Sequence, residues 1–134
     1  MSANKIVKLI KEKEIEYVDL RFTDPRGKLQ HLTMDSKMVD DEMLNDGVFF
    51  DGSSIAGWKA INESDMILKP DLGRLVIDPF TSHNTLILFC DVLDAIKKNP
   101  YERDPRSIAK KAEAYLKKTG IGDKAYFGPE AEFF

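Results

Sequence analysis

The chain has 134 residues, with 20 Lys and Arg set against 23 Asp and Glu, a net charge of −3 and a single cysteine. That length fits one domain, or one domain and a piece of another. The mild charge gives no electrostatic case for a nucleic acid or an anionic membrane, one cysteine excludes an internal disulfide framework, and no apolar run reaches membrane-spanning length.

The N-terminus does not read as a signal peptide, because Lys5, Lys8, Lys11 and Glu12 interrupt it, and a cytoplasmic protein is expected. Ala3, Ile6, Val7 and Ile10 recur at helical spacing, predicting a short amphipathic helix over residues 4–13 that covers a core. From Glu16 the period changes to two. Val18, Leu20 and Phe22 face one way and Tyr17, Asp19 and Arg21 the other, the pattern of a half-buried strand. Thr23-Asp24-Pro25-Arg26-Gly27 supplies a turn, and a second strand over 28–34 completes a hairpin with His31 on its surface.

A short helix is expected over 36–45, with Asp40 and Asp41 early and Gly47 past its end. Residues 49–68 follow, FFDGSSIAGWKAINESDMIL, and then Lys69-Pro70-Asp71-Leu72-Gly73, which reads as a polar turn. A strand over 74–80 ends at Pro79, and His83 lies in the next turn without a spaced partner. Residues 85–92 are nearly all apolar, as in a central strand buried on both faces, and Cys90 falls there as a buried thiol. Asp104-Pro105 is an N-cap followed by proline at the first helical position. It opens a helix striped by Ile108, Ala109, Ala112, Tyr115 and Leu116 and closed by Lys117, Lys118 and Gly120. Residues 124–134 read as a last strand containing Pro129. This order implies an α+β domain over 1–100, then the first helix and strand of a second domain over 101–134.

Two stretches carry chemistry. Residues 49–68 are too polar for a core strand, yet hold Trp58 and several apolar side chains. Gly52 and Gly57 permit tight left-handed turns, and Asp51 and Asp65 stand at the two ends of the loop. Asp-Gly-Ser-Ser alone is also ordinary turn composition. The second stretch is Gly128-Pro129-Glu130-Ala131-Glu132-Phe133-Phe134. On a strand Glu130 and Glu132 share a face, with Ala131 and Phe133 turned to the core. Two neighbouring carboxylates repel unless a cation lies between them, and their hard oxygens suit Mg²⁺ or Mn²⁺. A solvated Glu-x-Glu face remains the alternative, and two carboxylates are too few to hold a metal alone.

The longer pattern is more specific. Phe50-Asp51-Gly52-Ser53-Ser54, with Gly57, Trp58 and Glu63-Ser64-Asp65-Met66 at fixed spacing, resembles the N-terminal signature of the glutamine synthetases. Gly-Pro-Glu-x-Glu-Phe-Phe resembles the start of the catalytic domain of the bacterial type I-like members. The resemblance implies a β-grasp N-terminal domain and a ring-shaped homo-oligomer, a dodecamer in the parent. It implies ligation of ammonium to glutamate with ATP through γ-glutamyl phosphate. Carried over, Asp51 would handle ammonium, Ser54, Trp58 and Asp65 would line the shared wall of a site between subunits, and Glu130 and Glu132 would each take one metal. It also implies that the other metal ligands and the nucleotide and glutamate contacts lie downstream. The chain alone is then expected to be an inactive fragment, with residues from about Tyr101 onward poorly anchored. A non-catalytic β-grasp interaction or regulatory module, or an inactive scaffold piece, would share the first 100 residues but give no reason for Glu130 and Glu132 beside Asp51.

Overall fold

The computed structural model describes residues 1–55, 57 and 64–133. Its first helix, α1 (Ala3–Glu12), buries Ala3, Ile6 and Ile10, the face expected from their spacing. Strands β1 (Tyr17–Thr23) and β2 (Leu29–Asp35) form the expected antiparallel hairpin, with Leu20 opposite Leu32. Asp24 makes its turn: Oδ1 accepts from the backbone N–H of Arg26 and of Lys28, both at 2.9 Å. A single 3₁₀ turn at Ser36–Met38 precedes α2 (Asp41–Asp46), so the expected helix over 36–45 is two pieces. Asp40 is the reason: its side chain caps Met43 N–H, which starts a new helix there instead of continuing the old one.

Gly47 then turns the chain into β3 (Val48–Asp51), with φ +88°. A Cβ there would lie 2.5 Å from the Leu68 carbonyl oxygen, so space and backbone angle both demand glycine. Strand β4 (Asp65–Ile77) pairs with β3 on one side and with β5 (Thr85–Asp94) on the other. The expected polar turn at 69–73 is not a turn between strands. It is a bulge inside β4, where the pairing with β5 steps from Pro70–Cys90 to Leu75–Leu88. Pro70 and Gly73 read locally as turn residues, but both are also bulge residues once a neighbouring strand holds the chain on either side.

The five strands run in the order β2-β1-β5-β4-β3, with β1 and β5 parallel and the other neighbours antiparallel. Leu20, Leu88 and Leu68 from the three central strands are fully buried on the face that α1 and α2 cover, with Ile6 and Leu44 above them. Cys90 and Val92 extend that core. Thr85, Leu86, Ile87 and Leu88 are all buried, as the apolar run predicts, and beyond them burial alternates.

Helix α3 (Pro105–Thr119) begins and ends where the sequence places it, capped by Asp104 and closed by Gly120 at φ +70°. Its stripe is not covered: Ile108 and Tyr115 are exposed. Residues 124–133 form no strand, and Glu130 to Phe133 are exposed. The expected last strand is thereby corrected, and Ala131 and Phe133 do not turn into a core. An alternating pattern becomes a strand only when a neighbour accepts its backbone hydrogen bonds, and none of the described strands does so here.

Candidate functional site

Asp51 is the last residue of β3 and stands directly opposite Asp65, the first residue of β4. Both are exposed. Side chains directly opposite on an antiparallel pair have Cβ atoms roughly 4.5–5.5 Å apart, and like charges so placed destabilise the pair. The ladder therefore holds two carboxylates where a cation would relieve their repulsion.

The turn that follows is built on Asp51 itself. Oδ1 accepts from the Ser53 N–H at 2.8 Å and from the Ser53 hydroxyl at 2.7 Å, so the 3₁₀ turn Gly52–Ser54 is capped by the acid it presents. The Ser53 hydroxyl foremost, then its N–H, hold the Asp51 carboxyl below its ordinary range; desolvation opposes them, and the Ser64 side chain adds the least. Asp51 is thus biased toward keeping its charge.

Gly52 serves differently from the left-handed role expected of it. The positive-φ glycine in this loop is Gly57, at +87°, whereas Gly52 is required by close packing. Its N–H donates to the Ser64 carbonyl at 2.7 Å, and a Cβ would fall 2.3 Å from Met66 Sδ. That close approach seals the turn against β4. Ser54 is exposed and does not touch Asp51 through any hydrogen bond among the described residues; Ser53, which sequence reasoning passed over, does. Asp51 and Ser54 line one shallow groove of about 340 Å³, walled by Phe22, Leu32, Phe50 and Ile55. The Phe22 and Phe50 rings in that lining lie 5.3 Å apart, tilted against each other. Trp58 lies outside the described residues.

Glu130 and Glu132 are exposed, on a segment without a strand partner. Their oxygens are of the right kind for Mg²⁺ or Mn²⁺. They fall short in number: among the described residues no group of three His, Cys, Asp or Glu side chains gathers to hold a metal ion. A larger groove of about 430 Å³ lies on the outer sheet face, along Asp19, Arg21, His31, Asp78 and His83. Its charges already satisfy one another. Arg21 bridges Asp19 at 2.7 Å and Asp78 at 2.9 Å, and Asp19 also accepts from Thr33 and pairs with His31. His31 and His83, given no role from the sequence, are each held through Nδ1 by a carboxylate, Asp19 and Glu16.

Among the described residues no helix is long and apolar enough to cross a membrane. Residues 14–95 match the family described as glutamine synthetase, beta-Grasp domain, and residues 102–134 match glutamine synthetase, catalytic domain. The chain is 61% identical over 133 residues to the glutamine synthetase of Rhizobium meliloti (strain 1021), covering 99% of this chain and 28% of the relative. Against the glutamine synthetase of Escherichia coli (strain K12) it is 54% identical over 134 residues, covering 29% of that protein. The fold is similar to that of a Plasmodium falciparum glutamine synthetase determined by electron cryomicroscopy, with a TM-score of 0.82 at 27% identity, over 92% of this chain and 24% of that one. The chain thus spans a little over a quarter of the length of the relatives it matches. The sheet is the β-grasp domain that the sequence led one to expect, and the chain belongs to the glutamine synthetase family.

Proposed function

We propose that this chain is the ammonium-handling part of an ATP-dependent ligase that joins ammonia to glutamate through γ-glutamyl phosphate. The observation that carries the reading is the Asp51–Asp65 pair: two carboxylates set opposite each other on a paired ladder, with the Asp51 carboxyl biased toward its charged form and lining a groove. Membership of the family supports it.

Ammonium must be attracted to the site, and must lose a proton before its nitrogen can attack an activated carboxyl. Asp51 can serve both needs, as a negative charge and as a proton acceptor. The hydrogen bonds from Ser53 and Ser64 tilt it toward the first, since a carboxyl with a lowered pKa is a weaker base. Ser54, Trp58 and Asp65 complete the wall in this reading. Glu130 and Glu132 would hold Mg²⁺ or Mn²⁺, which when bound neutralise the phosphates of ATP, with further ligands supplied downstream. The division falls at 1–100 for the grasp domain and 101–134 for the start of the catalytic domain. The assembly is a closed ring in which the Asp51 loop of one subunit meets the glutamates of the next.

The test uses the full-length protein. Asp51→Asn keeps the shape and removes the charge and the base. Loss of a general base typically costs roughly 10²–10⁴-fold in rate. Glutamine formation should fall by that order and the KM for ammonium should rise, while γ-glutamyl phosphate formation survives. Asp51→Asn subunits mixed at random with Glu132→Gln subunits should recover about a quarter of the sites in a closed ring. Absence of recovery after proven mixing would refute the shared site.

A further inference from the structure

Helix α3 is fastened to the sheet by charge and not by its apolar stripe. Ser107 is its only buried residue among those described, while Ile108 and Tyr115 stay exposed. Its contacts with the sheet gather at its N-terminal end, from the cap to the second turn. Asp104 is fully buried; its carboxylate accepts from the N–H of Arg106 and Ser107 and from the Ser107 hydroxyl, and approaches the Val92 N–H of β5 at 3.4 Å. Arg106 reaches two strands. Its Nε donates to Asp91 Oδ1 on β5 at 2.9 Å, and Nη2 donates to Asp71 Oδ2 in the β4 bulge at 2.6 Å. Lys110 also donates to Asp91.

The bulge is shaped for this contact. Asp71 Oδ1 accepts from the Gly73 N–H at 3.0 Å, which closes the bulge and leaves Oδ2 for Arg106. Asp91 alternates away from buried Cys90 and Val92, so Arg106 meets the sheet on the face opposite the core. Directly before the cap, Arg103 Nη1 donates to the carbonyl of Gly57, which lies between Asp51 and Asp65 in the chain, at 3.1 Å.

We infer that Arg106 is a positioning residue: with Asp71 and Asp91 it fixes the direction in which the chain leaves the grasp sheet, and so sets the Asp51 loop in register with the residues that follow α3. Its consequence for catalysis rests on the ligase reading above; its structural content does not. The bulge at 71–74 exists in this view to seat a guanidinium.

Amide exchange on the 134-residue chain tests the structural content. Hydrogen bonds to charged groups are strong enough to shift a local opening equilibrium by about 10- to 100-fold. Arg106→Gln should speed exchange in α3 by that factor and leave β5 unchanged. Asp71→Asn, which retains an oxygen for Gly73, should give a smaller change of the same kind. Unchanged α3 exchange in both variants overturns the inference, and so does equal loss in α3 and β5, which would make Arg106 a general stabiliser. In the full-length protein, Arg106→Gln should lower glutamine formation about tenfold or more while leaving the KM for ATP within twofold, with Arg106→Lys intermediate because an ammonium cannot span two carboxylates. Equal losses for Lys and Gln together with a raised KM for ATP would overturn the positioning role. If the wild-type full-length protein makes no glutamine, the ligase reading fails while the exchange result still stands.

Discussion

Asp19 offers the most direct measurement of what the polar face of the sheet contributes. It is 4% exposed, on the central strand β1, and three side chains converge on it: Arg21 at 2.7 Å, Thr33 at 2.7 Å and His31 at 2.8 Å. Burial opposes its charge, but the hydrogen bonds from Arg21, Thr33 and His31 outweigh that, and its pKa lies below the ordinary 3.8. Asp19→Asn keeps the shape. Its oxygen can still accept from Thr33, but the amide must then turn an N–H toward the Arg21 guanidinium. A hydrogen bond to a charged group contributes about 1.5–3 kcal/mol, and Arg21 keeps Asp78 as a second partner. The expected loss is therefore near the low end, about 2 kcal/mol. With a urea m-value of roughly 1–2 kcal/mol per molar for a chain of this size, the unfolding midpoint should fall by about 1–2 M with m unchanged. The pH dependence has a fixed sign. A carboxyl with a depressed folded-state pKa stabilises the fold fully above its unfolded pKa and loses that contribution as pH falls through the folded pKa. The gap between wild type and Asp19→Asn should be constant at neutral pH, begin to close below about pH 4, and shrink steadily on further acidification. A midpoint shift under 0.3 M at pH 7, or a gap that widens in acid, would refute the reasoning.

Gly47→Ala should be worse than an ordinary core substitution, because it forces both a forbidden backbone angle and a 2.5 Å contact with the Leu68 carbonyl. We expect a loss above about 3 kcal/mol, read as a midpoint shift or failure to accumulate soluble protein. Cys90 is fully buried and burial pushes its thiol pKa far up, so native protein should not react with a disulfide reagent at pH 8, whereas urea-unfolded protein should react at once; rapid labelling without unfolding would contradict the packing.

What could be read from the chain depended on the range of the interaction. The α1 face, the β1–β2 hairpin and the Asp104-Pro105 cap are encoded within a few residues, so spacing and turn chemistry suffice for them. So is the Asp51-Gly52-Ser53 turn, in which the acid caps its own backbone. The bulge in β4 has no local signature, because Pro70, Asp71 and Gly73 are turn residues to any local reading; only pairing with β5 before and after them makes them part of one strand. The Arg106 contacts left no local signal at all. Asp71, Asp91 and Arg106 are 20 and 15 positions apart in the chain and meet only because β4 and β5 are neighbours. The packing need of Gly52 was hidden in the same way, since Met66 is its obstacle.

The two acidic constellations differ in what fixes them, and this bears on how a shared site would work. Asp51 and Asp65 need nothing beyond this chain: β3 and β4 hold their backbones, and the Ser53 contacts hold the Asp51 side chain. Glu130 and Glu132 have their sequence spacing but no ladder, and alternation fixes side-chain direction only on a strand that is paired. A metal site built on them, as proposed, would need a neighbouring strand to fix their direction and further ligands to complete the donor set. The Asp51 half, to which the proposed function gives ammonium, is preorganised by the grasp sheet. The chain that joins the halves runs through Arg103 and Arg106, which touch the loop and both strands behind it. A paired β3–β4 end and a latched α3 exit would leave assembly to set how one subunit sits against the next.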